Sequence, residues 1–284
     1  EKNLFANLSV FSGGFSLGAI ETIFSESPTE KTVAELIALL SDKSLLQRTL
    51  DTQGETRFTM LVTIQKFALD RLRQVDGENE MRNKHLAYFL DFAEQADKEA
   101  HGPSQIEWMD RIENELDNFR AALHWCLSSE QTQYGLQLFA ALAWTWNVRW
   151  PPSEARNWFY KLRAMPNVDE HPKNYARVLN AAGLREWRTG NYSEARSVLD
   201  ESLAICLNLG ADGELVQAEA LNRLGLLTRW RNQDISVSES YFNQSLMIYQ
   251  NREETWGVAW NLFLLGGVAI GRAQNETALS LLQQ

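Results

Sequence analysis

Hydrophobic positions recur every three or four residues along most of the chain, the period of a helix with one buried face. From Met81 to Ala100 the stripe runs through Leu86, Phe89, Leu90 and Ala93, and a stop and restart is expected at His101-Gly102-Pro103-Ser104. Ile106, Met109, Ile112, Leu116, Phe119, Leu123 and Cys126 keep the same step, which predicts one buried helix face. Shorter helical patterns cover Leu4 to Phe11, Phe15 to Phe24 and Val33 to Leu40, the first two broken at Gly13-Gly14. One stretch changes period: SLLQRTL, the turn Asp51-Thr52-Gln53-Gly54-Glu55, and TRFTML, in which Arg57, Thr59 and Leu61 alternate with Phe58 and Met60. That is a β-hairpin pattern, and Thr63 to Val75 is helical again.

The second half repeats. In RVLNAAGLREWRTGNYSEARSVLDESL, small Gly183 admits a close partner helix, Gly190-Asn191 makes the turn, Ala195 packs back, and Leu199 and Leu203 continue the stripe. The skeleton returns with Gly225, Phe242 and Leu246 after the longer turn NQDISVSES, and again with Gly266, Ala278 and Leu282. A weaker copy has Ala143, Ala155 and Phe159. The small positions 143, 183, 225 and 266 are 40, 42 and 41 residues apart. Periodic helix pairs of this kind stack into a solenoid. The fold class expected is therefore mainly α, with three helices, a wing and a closing helix of winged-helix type over 1–76, a helical adaptor over 77–130, and helix pairs over 131–284.

Composition narrows the function. Of 284 residues 44% are hydrophobic, enough for real cores. The net charge of −10 lies mostly in the middle third, and no segment carries the basic excess that phosphate backbones demand. Cys126 and Cys206 are far apart and read as two buried thiols, not as a disulfide or zinc ligands. His85, His101, His124 and His171 show no metal-ligand spacing; His85 and His124 are expected at surface or partly buried positions. Glu113, Glu115 and Asp117 read as a solvated acidic face. No catalytic residues and no metal site are expected. With no signal peptide and no spanning apolar run, the expected location is cytoplasmic without membrane contact. The chain begins at Glu1 and stops inside an amphipathic pattern, so a larger protein is expected.

The small residue, turn Gly, Ala and large apolar pattern resembles the tetratricopeptide repeat, with a period above the usual 34. That resemblance implies a right-handed superhelix with a concave, partner-binding face. Taken in order, LFANLSVFSGGFSLGAIETI, LIALLSDKSLLQR, RFTMLVTIQKFALDRL, HLAYFLDFAEQA and ENELDNFRAALHW resemble the winged helix and adaptor of STAND-class signal-transduction ATPases, the AfsR and LuxR-type regulators in particular. The resemblance implies a preceding nucleotide-binding domain that takes ATP or ADP in the parent protein, a winged-helix hinge, and repeats that sense a signal. Two departures matter. No GxxxxGK[ST] occurs, so no cofactor is expected in this chain and it is not expected to hydrolyse ATP. Where relatives carry a Met-His-Asp triplet, this chain has Met60, Leu61 and Val62, and the last two cannot donate a hydrogen bond to a phosphate.

The candidate site is a ligand or partner groove formed by Asn180, Trp187, Arg188, Asn222, Arg229, Trp230, Trp260 and Phe263. Trp and Arg together suit stacking and cation–π contact with a protein, peptide or small-molecule signal, and the Asn amides suit hydrogen bonding to it. The same residues also suit packing between repeats, with Arg stems over Trp and Asn tying helices together; Trp144 and Trp146 in LFAALAWTW read as core. The reading helix TVAELIALLSDKSLL offers only Lys43 against Glu35 and Asp42, so DNA contact is not expected. Two other functions stay open: a transcription regulator that reads DNA through its winged helix, and a plain assembly scaffold.

Overall fold

The computed structural model describes residues 1–24, 31–51, 53–231 and 234–283, and the chain divides into two compact units, Glu1–Thr145 and Trp146–Gln284. Thr52 of the expected hairpin turn and Asn232 and Gln233 of the longer repeat turn lie outside the described residues.

In the first unit, α1 (Lys2–Asn7) runs into a 3-10 turn, Leu8–Val10. β1 (Phe15–Ser16) precedes α2 (Leu17–Ile23), and α3 (Val33–Asp42) is followed by β2 (Gln47–Leu50), β3 (Thr56–Thr59) and α4 (Val62–Gln74). The strands form one antiparallel sheet in the order β1-β3-β2, with Phe58 opposite both Phe15 and Arg48. Residues 15 and 16 are thus strand where a helix was expected. Gly13 and Gly14, at φ of 70° and 104°, turn Phe15 onto β3, and Ser16 caps α2 by accepting from Ala19 N at 3.1 Å. A Thr32–Glu35 capping box starts α3.

α5 (Glu78–Glu99), α6 (Gln105–Asn114), α7 (Leu116–Ser128) and α8 (Thr132–Ala141) complete this unit. The single stripe expected from Ile106 to Cys126 is two helices, broken at Glu115, and Ile106 is 68% exposed. The break has a polar cause. Glu115 is buried with the wing residue Arg57 as its ion-pair partner, so it is not part of a solvated acidic face. Its other oxygen accepts from Asn118 Nδ2 at 2.7 Å. Asn118 Nδ2 also donates to Gly14 O at 2.8 Å, while its Oδ1 accepts from Ser12 N at 2.8 Å and lies 3.3 Å from His85 Nε2. One amide therefore joins the glycine turn, α5 and α7. His85 is buried in an aromatic cluster with Phe11 and Phe89, not at the surface or partly buried position expected, whereas His124 is exposed.

α9 (Ala143–Val148) follows α8 in the chain; a break at Leu142 interrupts the first helix of the weakest repeat copy, so Ala143 begins a helix instead of sitting inside one. The second unit continues with α10 (Pro152–Arg163), α11 (Pro172–Arg188), α12 (Tyr192–Leu209), α13 (Glu214–Arg231), α14 (Ile235–Asn251), α15 (Thr255–Gly271) and α16 (Asn275–Leu282). α11/α12, α13/α14 and α15/α16 are the three strong repeat copies. A Cβ on Gly183 would come 2.5 Å from Leu199 Cγ, and one on Gly225 2.5 Å from the Phe242 ring. Gly190, at φ 83°, makes the tight turn within the first pair. Cys126 and Cys206 are free, fully buried thiols, and burial pushes them up to about 12 and about 11.

Gly225→Ala is expected to lower stability by roughly 1–3 kcal/mol, because Phe242 is fully buried and overpacking outweighs the helix-propensity gain. Gly266→Ala meets Leu282 at 3.1 Å, and that side chain is 51% exposed and free to give way; its melting temperature is expected to hold or rise. Thermal melts of both variants check the pair.

A second prediction concerns pH. Burial, only partly offset by Asn118, lowers His85 from its ordinary value near 6.5 to about 4. The unfolded chain takes up this proton near pH 6.5 and the folded chain refuses it until about 4, so stability is complete above 6.5 and falls as pH drops through that window. The loss expected is about 3 kcal/mol, and denaturant titrations from pH 7 to 4.5 on wild type and His85→Gln should show a flatter profile in the variant.

Candidate functional site

The first helices of successive pairs, α11, α13 and α15, meet one another through side-chain amides. Asn180 and Asn222 each stand three residues before the packed glycine, about 60° round the helix from it. Asn180 is fully buried and donates from Nδ2 to Val216 O at 2.9 Å and Glu219 Oε2 at 3.1 Å. Asn222 donates to Asn261 Oδ1 at 3.0 Å and accepts from Trp260 Nε1 at 3.2 Å; Asn261 in turn donates to Gly257 O at 2.8 Å. Both asparagines therefore tie a helix to its successor. Phe263 occupies the same offset in α15 and is 56% exposed.

The tryptophans are not equivalent. Trp187 follows its glycine by four residues and Trp230 by five, a difference of about 100° on a helix. Trp187 is consequently half-buried against Ala195, Leu199, Leu224 and Leu227, while Trp230 is 69% exposed with its ring centroid 6.5 Å from that of Trp187. Arg188 shares the offset of Trp230 and is exposed. Arg229 shares that of Trp187, and its Nη2 donates to Gly267 O at 2.8 Å across to α15. On α15, Trp260 stacks on Trp256 at 5.6 Å and on Phe263 at 5.5 Å, with interplanar angles of 9° and 27°.

Of these side chains on α11, α13 and α15, those left to solvent are thus Arg188, Trp230 and the Trp256–Trp260–Phe263 stack. Asn180 and Trp187 lie behind that surface as supports. Trp256, Asn261, Glu219 and Gly267 belong to the arrangement and were not singled out from sequence; an i, i+4 Trp pair at 256 and 260 was the available signal. Trp146 and Trp150 pack edge to face and are buried, the core position expected for Trp146; Trp144 is half-buried. Among the described residues no cluster of His, Cys, Asp and Glu is fit to hold a metal ion, and no helix is long and apolar enough to cross a membrane.

The reading helix of the wing domain, α3, exposes Ala34, Glu35, Ala38 and Asp42, and the adjacent Lys43 pairs with Glu1 at 2.5 Å. The first unit thus carries a winged helix, and the second is an array of helix pairs of the α-solenoid class. Residues 1–73 match the family model described as a winged helix-turn-helix domain. Over 274 residues the chain is 33% identical to proteins named Putative HTH-type transcriptional regulator Rv0890c of Mycobacterium tuberculosis and Mb0914c of Mycobacterium bovis. The match takes in 94% of this chain but 30% of those proteins, so the chain spans about a third of the relatives' length. Its fold resembles the crystal structure of BtubC (BKLC) from P. vanneervenii, with a TM-score of 0.50 and 16% identity over 71% of this chain and 88% of that one. A STAND protein with a tetratricopeptide repeat sensor from Pyrococcus horikoshii aligns over 99% of this chain and 49% of its own, at 14% identity and a TM-score of 0.46.

Asn222→Ala is expected to cost about 1–3 kcal/mol, because it leaves the fully buried Asn261 carbonyl without its donor. Trp230→Ala is expected to stay within about 0.5 kcal/mol of wild type. Urea unfolding of the two variants separates the supporting amide from the exposed ring.

Proposed function

We propose that this chain is the regulatory part of a longer STAND-type ATPase regulator, with a winged-helix hinge over 1–76, an adaptor over 77–130 and signal-binding helix pairs over 131–284. The reading draws on the residue resemblance and on relatives named as transcriptional regulators. The observation that carries the binding role is the surface of Trp230, Trp256, Trp260 and Phe263, aromatic rings left facing solvent on consecutive first helices and backed by a fixed amide network. Large exposed aromatic surface is costly in water and marks a place where another molecule binds. The occupant is a protein, peptide or small-molecule signal in a cytoplasmic setting, and ATP or ADP belongs to the parent's nucleotide domain.

Leu61, Val62 and Phe67 expose an apolar edge on the winged helix, 48%, 65% and 52% accessible, which suits packing on that nucleotide domain. Signal binding would then shift the hinge by differential affinity for two arrangements. The acidic and apolar face of α3 argues against DNA reading by this domain.

A peptide selected on the wild-type chain from a random library is expected to lose at least about tenfold in affinity in Trp230→Ala and Trp260→Ala. Equal binding by both folded variants would remove the surface from the reading. A gel shift with duplex DNA at low salt is expected to show none; a salt-sensitive shift would favour the DNA-reading alternative.

A further inference from the structure

A separate feature of α11 does not depend on the aromatic surface. Arg185 is 6% exposed, and its Nε and Nη2 have no hydrogen-bond partner among the described residues. It stands two residues beyond Gly183, about 200° round the helix, and so points away from α12; Arg188, three residues on, lies about 140° round, on the same side. Arg188 is exposed and has no ion pair among the described residues.

Among the described residues no neighbouring group answers the buried charge. Glu186 is near, but its carboxylate already accepts from Arg156 Nε at 2.9 Å and from Asn191 Nδ2 at 2.8 Å. Arg188 adds a like charge. The end of α11 offers the negative pole of a helix, at most about half a charge. Its carbonyls at 185, 186 and 187 are in any case taken by the N–H groups of Thr189, Asn191 and Gly190 at 3.0, 2.8 and 3.1 Å. Burial, and secondarily Arg188, hold the Arg185 guanidinium below its usual range, yet an arginine does not give up its proton in a protein. A cation that stays charged, is nine-tenths buried and has a second guanidinium beside it is built to receive an anion.

We propose that Arg185 and Arg188 form a binding site for an oxyanion, the carboxylate or phosphate group of a ligand, on the side of α11 turned away from α12. The planar fork of Arg185 supplies Nε and Nη2 to two oxygens of that group, and Arg188 closes over it from solvent.

The test uses the 284-residue chain with inorganic phosphate or sodium acetate as probe, sodium chloride holding the ionic strength constant, read by calorimetry and thermal melting. Wild type is expected to bind at least one oxyanion saturably and to melt higher in its presence than in chloride. The stronger of the two identifies the group as phosphate or carboxylate. Arg185→Met is expected to remain folded, with an unliganded melting temperature no lower than wild type, and to lose the response; Arg188→Gln is expected to weaken it roughly tenfold. Should Arg185→Met not fold, Arg185→Lys keeps the charge without the fork and is expected to fold with a weakened response. Absence of any effect beyond chloride in wild type, or an undiminished response in a folded Arg185 variant, overturns the proposal.

Discussion

The close approach of paired helices at Gly183 and Gly225 sets the geometry of the second unit. With no side chain there, Leu199 and Phe242 fill the space a Cβ would need. The backbones come near enough for a hydroxyl on the second helix to reach a carbonyl of the first. Ser202 Oγ donates to Ala176 O at 3.0 Å, and Ser245 Oγ to Ala218 O at 2.8 Å, both fully buried. Each serine stands directly before the stripe leucine of its helix, Leu203 or Leu246, so the hydroxyl and the apolar stripe are aimed by the same turn. Close packing and a satisfied hydroxyl hold together; widening the gap by one methyl group would strain the first and lengthen the second.

Between pairs the chain uses amides in place of further apolar surface. A buried amide costs free energy unless it meets its partners, so it favours one register of α11 on α13 and of α13 on α15 over neighbouring ones. Asn180 and Asn222 do this through their Nδ2 donors, at the same offset but with different acceptors, a backbone carbonyl with a carboxylate in one case and a second asparagine in the other, while Asn180 Oδ1 has no partner among the described residues. Rings elsewhere on these helices can then stay in solvent, because the amides and not the rings fix the spacing of the helices.

Much of this was legible in the sequence. A glycine at fixed distance from a turn and from large apolar residues gave the three strong pairs, and the change of period near residue 47 gave the wing. What escaped is instructive in physical terms. β1 has two residues, too few to show a period, and it exists because the Gly13-Gly14 turn places Phe15 against β3. The break at Glu115 was hidden because apolar spacing continues across it while the cause, Arg57, lies 58 residues away. Ile106 fits the stripe but starts the helix, ahead of the turn that packs. In the site, periodicity marked Trp187 and Trp230 as alike; a one-residue difference in offset buries one and exposes the other.

Two arginines are buried among the described residues, and they answer their charge in opposite ways. Arg57 on the wing is raised above its usual range because Glu115 more than offsets the burial that would lower it, and Asn118 holds Glu115 in place. A pair of this kind adds little net stability over an apolar substitute, but removing either member strands a charge, so it locks the winged helix to α7 in one arrangement. Arg185 has the same chemistry and burial without the carboxylate. Were it only a strut, its aliphatic stem would suffice and the chain would keep an unanswered charge for no return. The Arg57 pair shows that this fold supplies a carboxylate where a buried guanidinium is structural, and so marks the unpaired Arg185 as the position where the counter-charge comes from another molecule.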